Sequence, residues 1–317
     1  MVSPDGRWLA GLSSDSGQIE FLSLVSGRRM AAASVWVRGT RPGAPLRLIE
    51  SSSAAWPTWS RDSRQLIFIE YAQDGMCSVV RYDLRDETMR HLSVGFGHMM
   101  MPAMSPSGER VALSTHAGAP LSARIYIVDL QTGAVQQGPQ PPEGAGQYWP
   151  HWIDDSRIVY LTYDESTVAV TLWPLNDQDS SDVGRIALSG DWDLESLQLM
   201  VGLPRPLNRV CSHFACFDEA ADRIVLFDLR TGERTPLSPS SRAGCWATAG
   251  VFVEATEATE EQISLVGVDS GARFEVLEEA CLPCWVNQAG DTFLLLCPDE
   301  HPDKLVLKRA RRTGWPW

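Results

Sequence analysis

The sequence offers few residue sets that could do chemistry. Cys281-Leu282-Pro283-Cys284 has the spacing of half a zinc site or of a redox pair, and His98-Met99-Met100-Met101, with Met104 nearby, combines an imidazole with thioethers that suit monovalent copper. Neither reading holds against its surroundings. The C-x-x-C lies in a stretch that reads as a strand, where residues three apart point to opposite faces and cannot both reach one metal. Cys211 and Cys216, five apart, are opposed in the same way and read as small buried hydrophobes. Methionine is the usual filler of irregular apolar gaps and of adaptable binding surfaces, so the methionine run reads as a packed or partner-facing loop. No G-x-S-x-G elbow, Walker loop, G-x-G-x-x-G or H-E-x-x-H occurs in the chain. The expectation is a chain that is not an enzyme and has no metal and no cofactor.

The elements around these residues repeat. Trp56 to Ile69 reads as strand, polar turn, strand: aromatic residues at Trp56 and Trp59, turn formers at Asp62 and Ser63, then the β-rich run Leu66 to Ile69. The pattern returns at Met101-Pro102-Ala103-Met104-Ser105-Pro106-Ser107-Gly108 and at Trp149-Pro150-His151-Trp152. Turns that close each third strand fall at Gly27, Glu87, Gly133, Gln178, Gly232, Gly271 and Gly314, a mean step of about 48 residues, in the range of four-stranded propeller blades and far from helical repeats. The long first step contains an insertion, Val35 to Ser53, read as a loop or an extended outer strand. The fold expected is therefore all-β: a seven-bladed β-propeller of four-stranded antiparallel blades, a single domain over residues 1–317, with six blades as the alternative because the fifth and sixth units lack a clear turn signature.

Composition narrows the partners. The net charge of −13 would repel a phosphate backbone, which excludes nucleic acid, and the basic cluster Lys308, Arg309, Arg311 and Arg312 reads as a solvated strand end. No apolar run reaches the length of a membrane span, so membrane insertion is not expected. Seven cysteines, an odd number over 317 residues, do not look like a disulfide framework and fit a reducing compartment. The chain as it stands reads as cytoplasmic, or as periplasmic if an upstream signal peptide is missing. It enters its first repeat at the turn Ser3-Pro4-Asp5-Gly6, without the preceding inner strand, and Gly314-Trp315-Pro316-Trp317 resembles that strand. Pairing of the two ends would close the ring; an N-terminally truncated chain is the other explanation.

Ser3-Pro4-Asp5-Gly6, Ser105-Pro106-Ser107-Gly108 and the degenerate Ser60-Arg61-Asp62-Ser63 resemble the SPDG turn of TolB-like propeller repeats, and Trp56-Pro57-x-Trp59 and Trp149-Pro150-x-Trp152 resemble the strand before it. The family is similar in architecture to WD-repeat propellers. The resemblance implies a binding module: such propellers serve as periplasmic partner-binding modules, as sensor domains attached to kinases or regulators, and as gating domains of prolyl-oligopeptidase-type enzymes. A second resemblance, to oligogalacturonate-lyase-type propellers that hold a metal with histidines, would rest on His98, His116 and His151. A soft set of His151, Cys245 and Cys284 is set aside because their units lie well apart round the ring.

The sequence as a whole reads as a non-catalytic scaffold, monomeric, that presents loops at one face to a protein or peptide partner. The residues expected to make that surface are Trp56, Tyr71, His98, Met99, Met100, His116, Tyr148, Trp149 and Tyr163, types enriched at interface centres. Trp56 and Trp149 could equally pack between blades, whereas Tyr71, Tyr148 and Tyr163 are expected to be exposed.

Overall fold

The computed structural model describes residues 3–5, 7–14, 33–39, 46–49, 54–72, 74–115, 120–164, 167–176, 180–187, 208, 212–218, 223–231, 233–239, 241–246, 250–256, 262–268, 271–277, 282–286, 292–298 and 305–311. The chain divides into two compact units, residues 1–188 with 192–195 and residues 189–191 with 196–317.

The described residues form seven antiparallel sheets, each a meander of consecutive strands. In the first unit the first sheet holds β1 (Trp8–Ser14), β2 (Ala33–Gly39) and β3 (Leu46–Ile49), and the second holds β4 (Ala54–Trp59), β5 (Gln65–Tyr71), β6 (Cys77–Asp83) and β7 (Thr88–Ser93). The third contains β8 (Met99–Met104), β9 (Arg110–Thr115), β10 (Arg124–Asp129) and β11 (Val135–Gln137), and the fourth β12 (Gly146–Asp154), β13 (Arg157–Tyr163), β14 (Thr167–Pro174) and β15 (Ser181–Ala187). In the second unit the fifth sheet has β16 (His213–Asp218), β17 (Arg223–Asp228) and β18 (Arg234–Pro236), and the sixth has β19 (Ser241–Trp246), β20 (Val251–Thr256), β21 (Gln262–Gly267) and β22 (Arg273–Leu277). The seventh has β23 (Leu282–Val286), β24 (Thr292–Pro298) and β25 (Leu305–Arg311). The supposed insertion from Val35 to Ser53 is corrected here: it supplies β3 and most of β2, which pairs with β1 from Trp8↔Gly39 to Ser14↔Ala33. Residues 312–317, on which closure by the C-terminus would depend, lie outside the described residues. No helix among the described residues is long and apolar enough to cross a membrane.

The polar turn between the first two strands is built from side chains. Ser60 donates its hydroxyl to Asp62 Oδ1 at 2.6 Å and accepts the Gln65 N–H at 2.9 Å, while Asp62 accepts the Arg64 N–H at 3.1 Å. Ser3, Asp5, Arg7 and Trp8 repeat these bonds, and Ser105 repeats the acceptance with Ser107 in the aspartate's place. Each turn is closed by one backbone bond across five residues, Ser3 to Trp8, Ser60 to Gln65 and Ser105 to Arg110. The fifth unit, which shows no such turn in sequence, has it in structure. Asn208 donates its N–H to the His213 carbonyl at 3.1 Å, and its Oδ1 accepts the Ser212 and His213 N–H groups at 2.8 and 3.2 Å. An amide oxygen here does the work of the serine hydroxyl.

A second backbone bond recurs beside it. Leu84, Leu130, Leu175, Leu229 and Val268 donate to the carbonyls of Arg64, Glu109, Ser156, Ser212 and Gly250, so five sheets join the turn in the same way to the end of their third strand, or in the fifth sheet of its second described strand, β17. The Asp-Leu turns that follow take their shape from Asp83, Asp129 and Asp228, each accepting two successive backbone N–H groups.

Central strands are buried on both faces. Leu66 to Ile69 are fully enclosed, Leu66 and Phe68 joining Ala10, Ile49, Trp59 and Tyr82 of one cluster, Ile67 and Ile69 joining Met99, Val111 and Leu113 of another. Ala112, Ile125, Tyr160 and Trp173 fill the next layer, and in the second unit Leu226, Trp246 and Phe252 fill one of their own. Burying each such side chain stabilises by about 1.5–3 kcal/mol, which explains why the β-branched and aromatic runs of the sequence hold these sheets together.

Replacing Asn208 by Ala is expected to cost about 1–2 kcal/mol, the usual cost of leaving turn N–H groups without an acceptor. Asn208→Ser should keep part of that. Urea unfolding of both variants checks the order; equal midpoints for Ala and wild type would remove the side chain from the turn's energetics.

Candidate functional site

Midway along its length, the first strand of three successive sheets carries the same irregularity. In β4, Ala55 pairs with Ile69 and Thr58 with Ile67, leaving Trp56 and Pro57 opposite Phe68. In β8 and β12 the same shift leaves Met101-Pro102 and Trp149-Pro150 against one partner residue. Such a bulge suits proline, which has no N–H for the ladder. The residue before each proline sits in the left-handed region, with φ of 56° at Trp56, 54° at Met101 and 51° at Trp149. For side chains this large that conformation is strained and persists only where its surroundings enforce it.

Around the bulges, polar side chains tie adjacent sheets together. The Tyr71 hydroxyl, at the end of β5, donates to the Met99 carbonyl at 2.7 Å, and Cys77 Sγ donates to the Gly97 carbonyl at 3.2 Å. Burial, with Cys77 nearby, pushes the Tyr71 phenol well up against a smaller opposing pull from the Trp56 indole. Burial pushes the Cys77 thiol up to about 11 against the Met99 backbone, so it is a protonated donor and not a nucleophile at neutral pH. In the fourth sheet, Gln147 accepts the Ile125 N–H at 3.1 Å and donates to the Pro139 carbonyl at 2.8 Å. Arg124 caps the Ala123 and Ala145 carbonyls at 2.8 and 3.2 Å. Burial, then the neighbouring Tyr163, raises the Tyr148 phenol, with Arg124 working the other way.

Several expected surface residues are not at the surface. Tyr148 is 1% exposed, Tyr163 4%, Met99 0% and Met100 2%, so the expectation of exposed tyrosines and presented methionines is corrected for these four. Trp56, Tyr71 and Trp149 are half-buried, with Trp149 6.1 Å from the Tyr148 ring, and His98 is exposed. His116 lies outside the described residues, as do Cys211 and Cys281 and the side chains of Cys216, Cys245 and Cys284. The bulge has a signal in sequence after all: a large side chain directly before proline in three successive repeats.

His151 follows the third bulge, where Thr58 and Ala103 stand in the neighbouring sheets. Its Nε2 is buried without a hydrogen-bond partner among the described residues, and burial holds its pKa down at about 4. It is neutral in the fold at neutral pH. No group of three His, Cys, Asp or Glu placed to hold a metal ion occurs among the described residues.

Because the folded-state pKa of His151 lies below the usual 6.5, the unfolded chain binds the extra proton between these values. The stability it contributes is complete above about pH 6.5 and is lost as pH falls toward 4, by about 3 kcal/mol at most. His151→Thr should flatten the pH dependence over that window in urea melts, relative to wild type. Parallel curves would show that His151 has another route to protonation.

No protein-family model matches the chain. A stretch of 83 residues, 26% of this chain and 19% of the relative, is 28% identical to the Tol-Pal system protein TolB of Francisella tularensis. Among solved structures, TolB from Acinetobacter baumannii superposes with a TM-score of 0.53 at 13% identity, covering 86% of this chain and 64% of its own. A puromycin-hydrolyzing peptidase of Mycobacterium tuberculosis gives 0.56 at 14% identity over 92% of this chain and 50% of its own. An acylaminoacyl peptidase of Pyrococcus horikoshii gives 0.56 at 12%, over 89% and 48%. The chain thus spans about a fifth of the curated relative it matches and between about half and two thirds of these structures. The expectation that the chain is not an enzyme is corrected by these neighbours: hydrolases share its fold, so missing motifs do not set it apart from them. Repeated turns, meandering four-stranded sheets and these structural likenesses identify the chain's fold as that of a TolB-like β-propeller.

Proposed function

We propose that the chain is a binding scaffold, a single seven-bladed propeller that presents the end of its sheets away from the Ser60-type turns, with the bulged strands that lead to it, to a protein or peptide partner. The observation that carries this reading is the row of left-handed residues before proline at Trp56, Met101 and Trp149, two of them half-buried tryptophans. Strain repeated at one place in three sheets, beside aromatic surface, is what a presented site requires and a mere packing layer does not. Seven sheets among the described residues support the blade count. The contact residues are Trp56, Tyr71, His98 and Trp149, with His116, which lies outside the described residues, expected among them from its sequence position. Tyr148, Tyr163, Met99 and Met100 hold that surface from beneath.

The likeness to a Tol-Pal system protein favours a protein partner. The resemblance to TolB-like modules also favours the periplasm over the cytoplasm, which no comparison supports. A second reading has its own observation: 92% of the chain matches only half of a peptidase. On that reading the propeller gates a hydrolase, and the partner recovered is a catalytic domain.

Affinity capture with the wild-type chain should retain one protein in stoichiometric amount. Trp149→Ala and His98→Ala should leave the fold intact by circular dichroism and weaken capture by about 1–2 kcal/mol for an anchoring residue. Tyr148→Ala should instead destabilise the fold by about 3 kcal/mol or more, as loss of a buried aromatic does. Capture unchanged by both surface variants would rule out this end of the sheets; recovery of a hydrolase would select the gating reading.

A further inference from the structure

The turn end of the same sheets, about four residues or roughly 13 Å along the strand from Trp56, holds a cleft of about 480 Å³. Its walls are the Ser60 turn, the Pro106 turn and the Asp129 turn, with Arg61, Arg81 and Arg90 among them. Arg81 and Arg90 stand directly opposite each other in the β6–β7 ladder, so both side chains leave the same face of the sheet. Like charges so placed repel, and a fold usually sets a carboxylate between them. None is there: neither arginine makes an ion pair among the described residues. Arg90 spends one N–H on the Gln131 carbonyl at 2.9 Å, and Arg81 has Asp83 as its electrostatic neighbour on its own strand.

Three carboxylates border the cleft, and two of them are already engaged. Asp62 Oδ1 accepts from Ser60 and Arg64, and Asp129 Oδ1 accepts two backbone N–H groups and the Thr132 hydroxyl, at 2.9, 2.7 and 2.8 Å. One oxygen of each is used within its own turn, and neither forms an ion pair with Arg81 or Arg90 among the described residues, where Arg90 spends one N–H on Gln131 and no side-chain hydrogen bond of Arg81 is seen. We propose that this cleft recognises a carboxylate, which bridges Arg81 and Arg90 through the planar fork of their N–H groups while Arg61 at the rim adds attraction. A carboxylate group, with one charge spread over two oxygens, fits better than a phosphate, whose second charge on the same group Asp62, Glu109 and Asp129 would repel. The volume suits a small dicarboxylate or the acidic side chain of a peptide segment. This site is separate from the partner surface above and does not depend on it.

Calorimetric titration with succinate and with the peptide amide N-acetyl-Glu-Gly-Glu tests it. At least one should bind saturably at low salt and weaken as salt rises. Binding of both points to a free carboxylate, and binding of the peptide alone to a protein segment. Arg81→Gln with Arg90→Gln should lower affinity by about tenfold or more. The same double variant should melt no lower than wild type, since it removes a repulsion. Arg81→Gln alone, which leaves the Arg90–Gln131 contact in place, carries the test if the double variant folds poorly. Trp149→Ala should titrate like wild type. The proposal is overturned if neither carboxylate binds, if the arginine variants bind equally well, or if inorganic phosphate binds more tightly than both.

Discussion

A strand that is apolar on both faces cannot be covered by its own sheet, and this constraint governs the molecule. Leu66 to Ile69 in β5 bury alternate side chains in two different layers, so each layer is shared between adjacent sheets. The outer strand β7 has a single neighbour in its sheet and is exposed along almost its whole length. Apolar content therefore falls from the second strand outward, and the last strand is where charge collects. The unusual placement of Arg81 opposite Arg90 is a product of this gradient: both lie where the packed layer opens to water.

The layers are aligned by hydrogen bonds that run between sheets at both ends. At the turn end, the Asp5 N–H donates to Ser63 Oγ at 2.9 Å and the Ser107 N–H to Asp155 Oδ1 at 3.0 Å. Arg110 lies over the Trp152 ring and donates to the Asp155 carbonyl, while the Trp152 indole donates to the Ala103 carbonyl at 2.8 Å. Ser63 shows how such a link overrides local preference. It has φ of 61° where the next repeat has Gly108 at 75°, a conformation glycine adopts without strain, yet a glycine would have no side-chain acceptor for the neighbouring turn's N–H. At the end away from the turns, Tyr71 and Cys77 do the corresponding work.

The sheets were legible in sequence because their signals are local: alternation, turn formers, Asp-Leu pairs. The positions of Tyr148 and Tyr163 were not, because their burial depends on neighbours brought together only in three dimensions. A tyrosine beside a loop looks like surface until Arg124 and Gln147 are seen closing the layer around it. The first sheet was misread for a related reason. Val35 to Ser53, rich in Gly, Pro and Arg, lacks the strand composition of the other units, but pairing with Trp8 to Ser14 decides its state. The cleft had no sequence signal, since Arg81 and Arg90 are distant along the chain by strand standards and become neighbours only through register.

The Ser60-type turn is closed by a backbone bond, and its side-chain role is filled by serine with aspartate, by serine with serine, or by asparagine alone. Parts that can be exchanged so freely put little restraint on mutational drift. A lineage can replace the letters of the motif one repeat at a time while the geometry they serve stays under selection. Likeness of sequence to the curated relative covers 83 residues, while likeness of fold covers 86% of the chain for the Acinetobacter TolB structure and 92% for the Mycobacterium peptidase. Similarity of letters and similarity of form age at different rates in such a molecule, and the turn sets the difference.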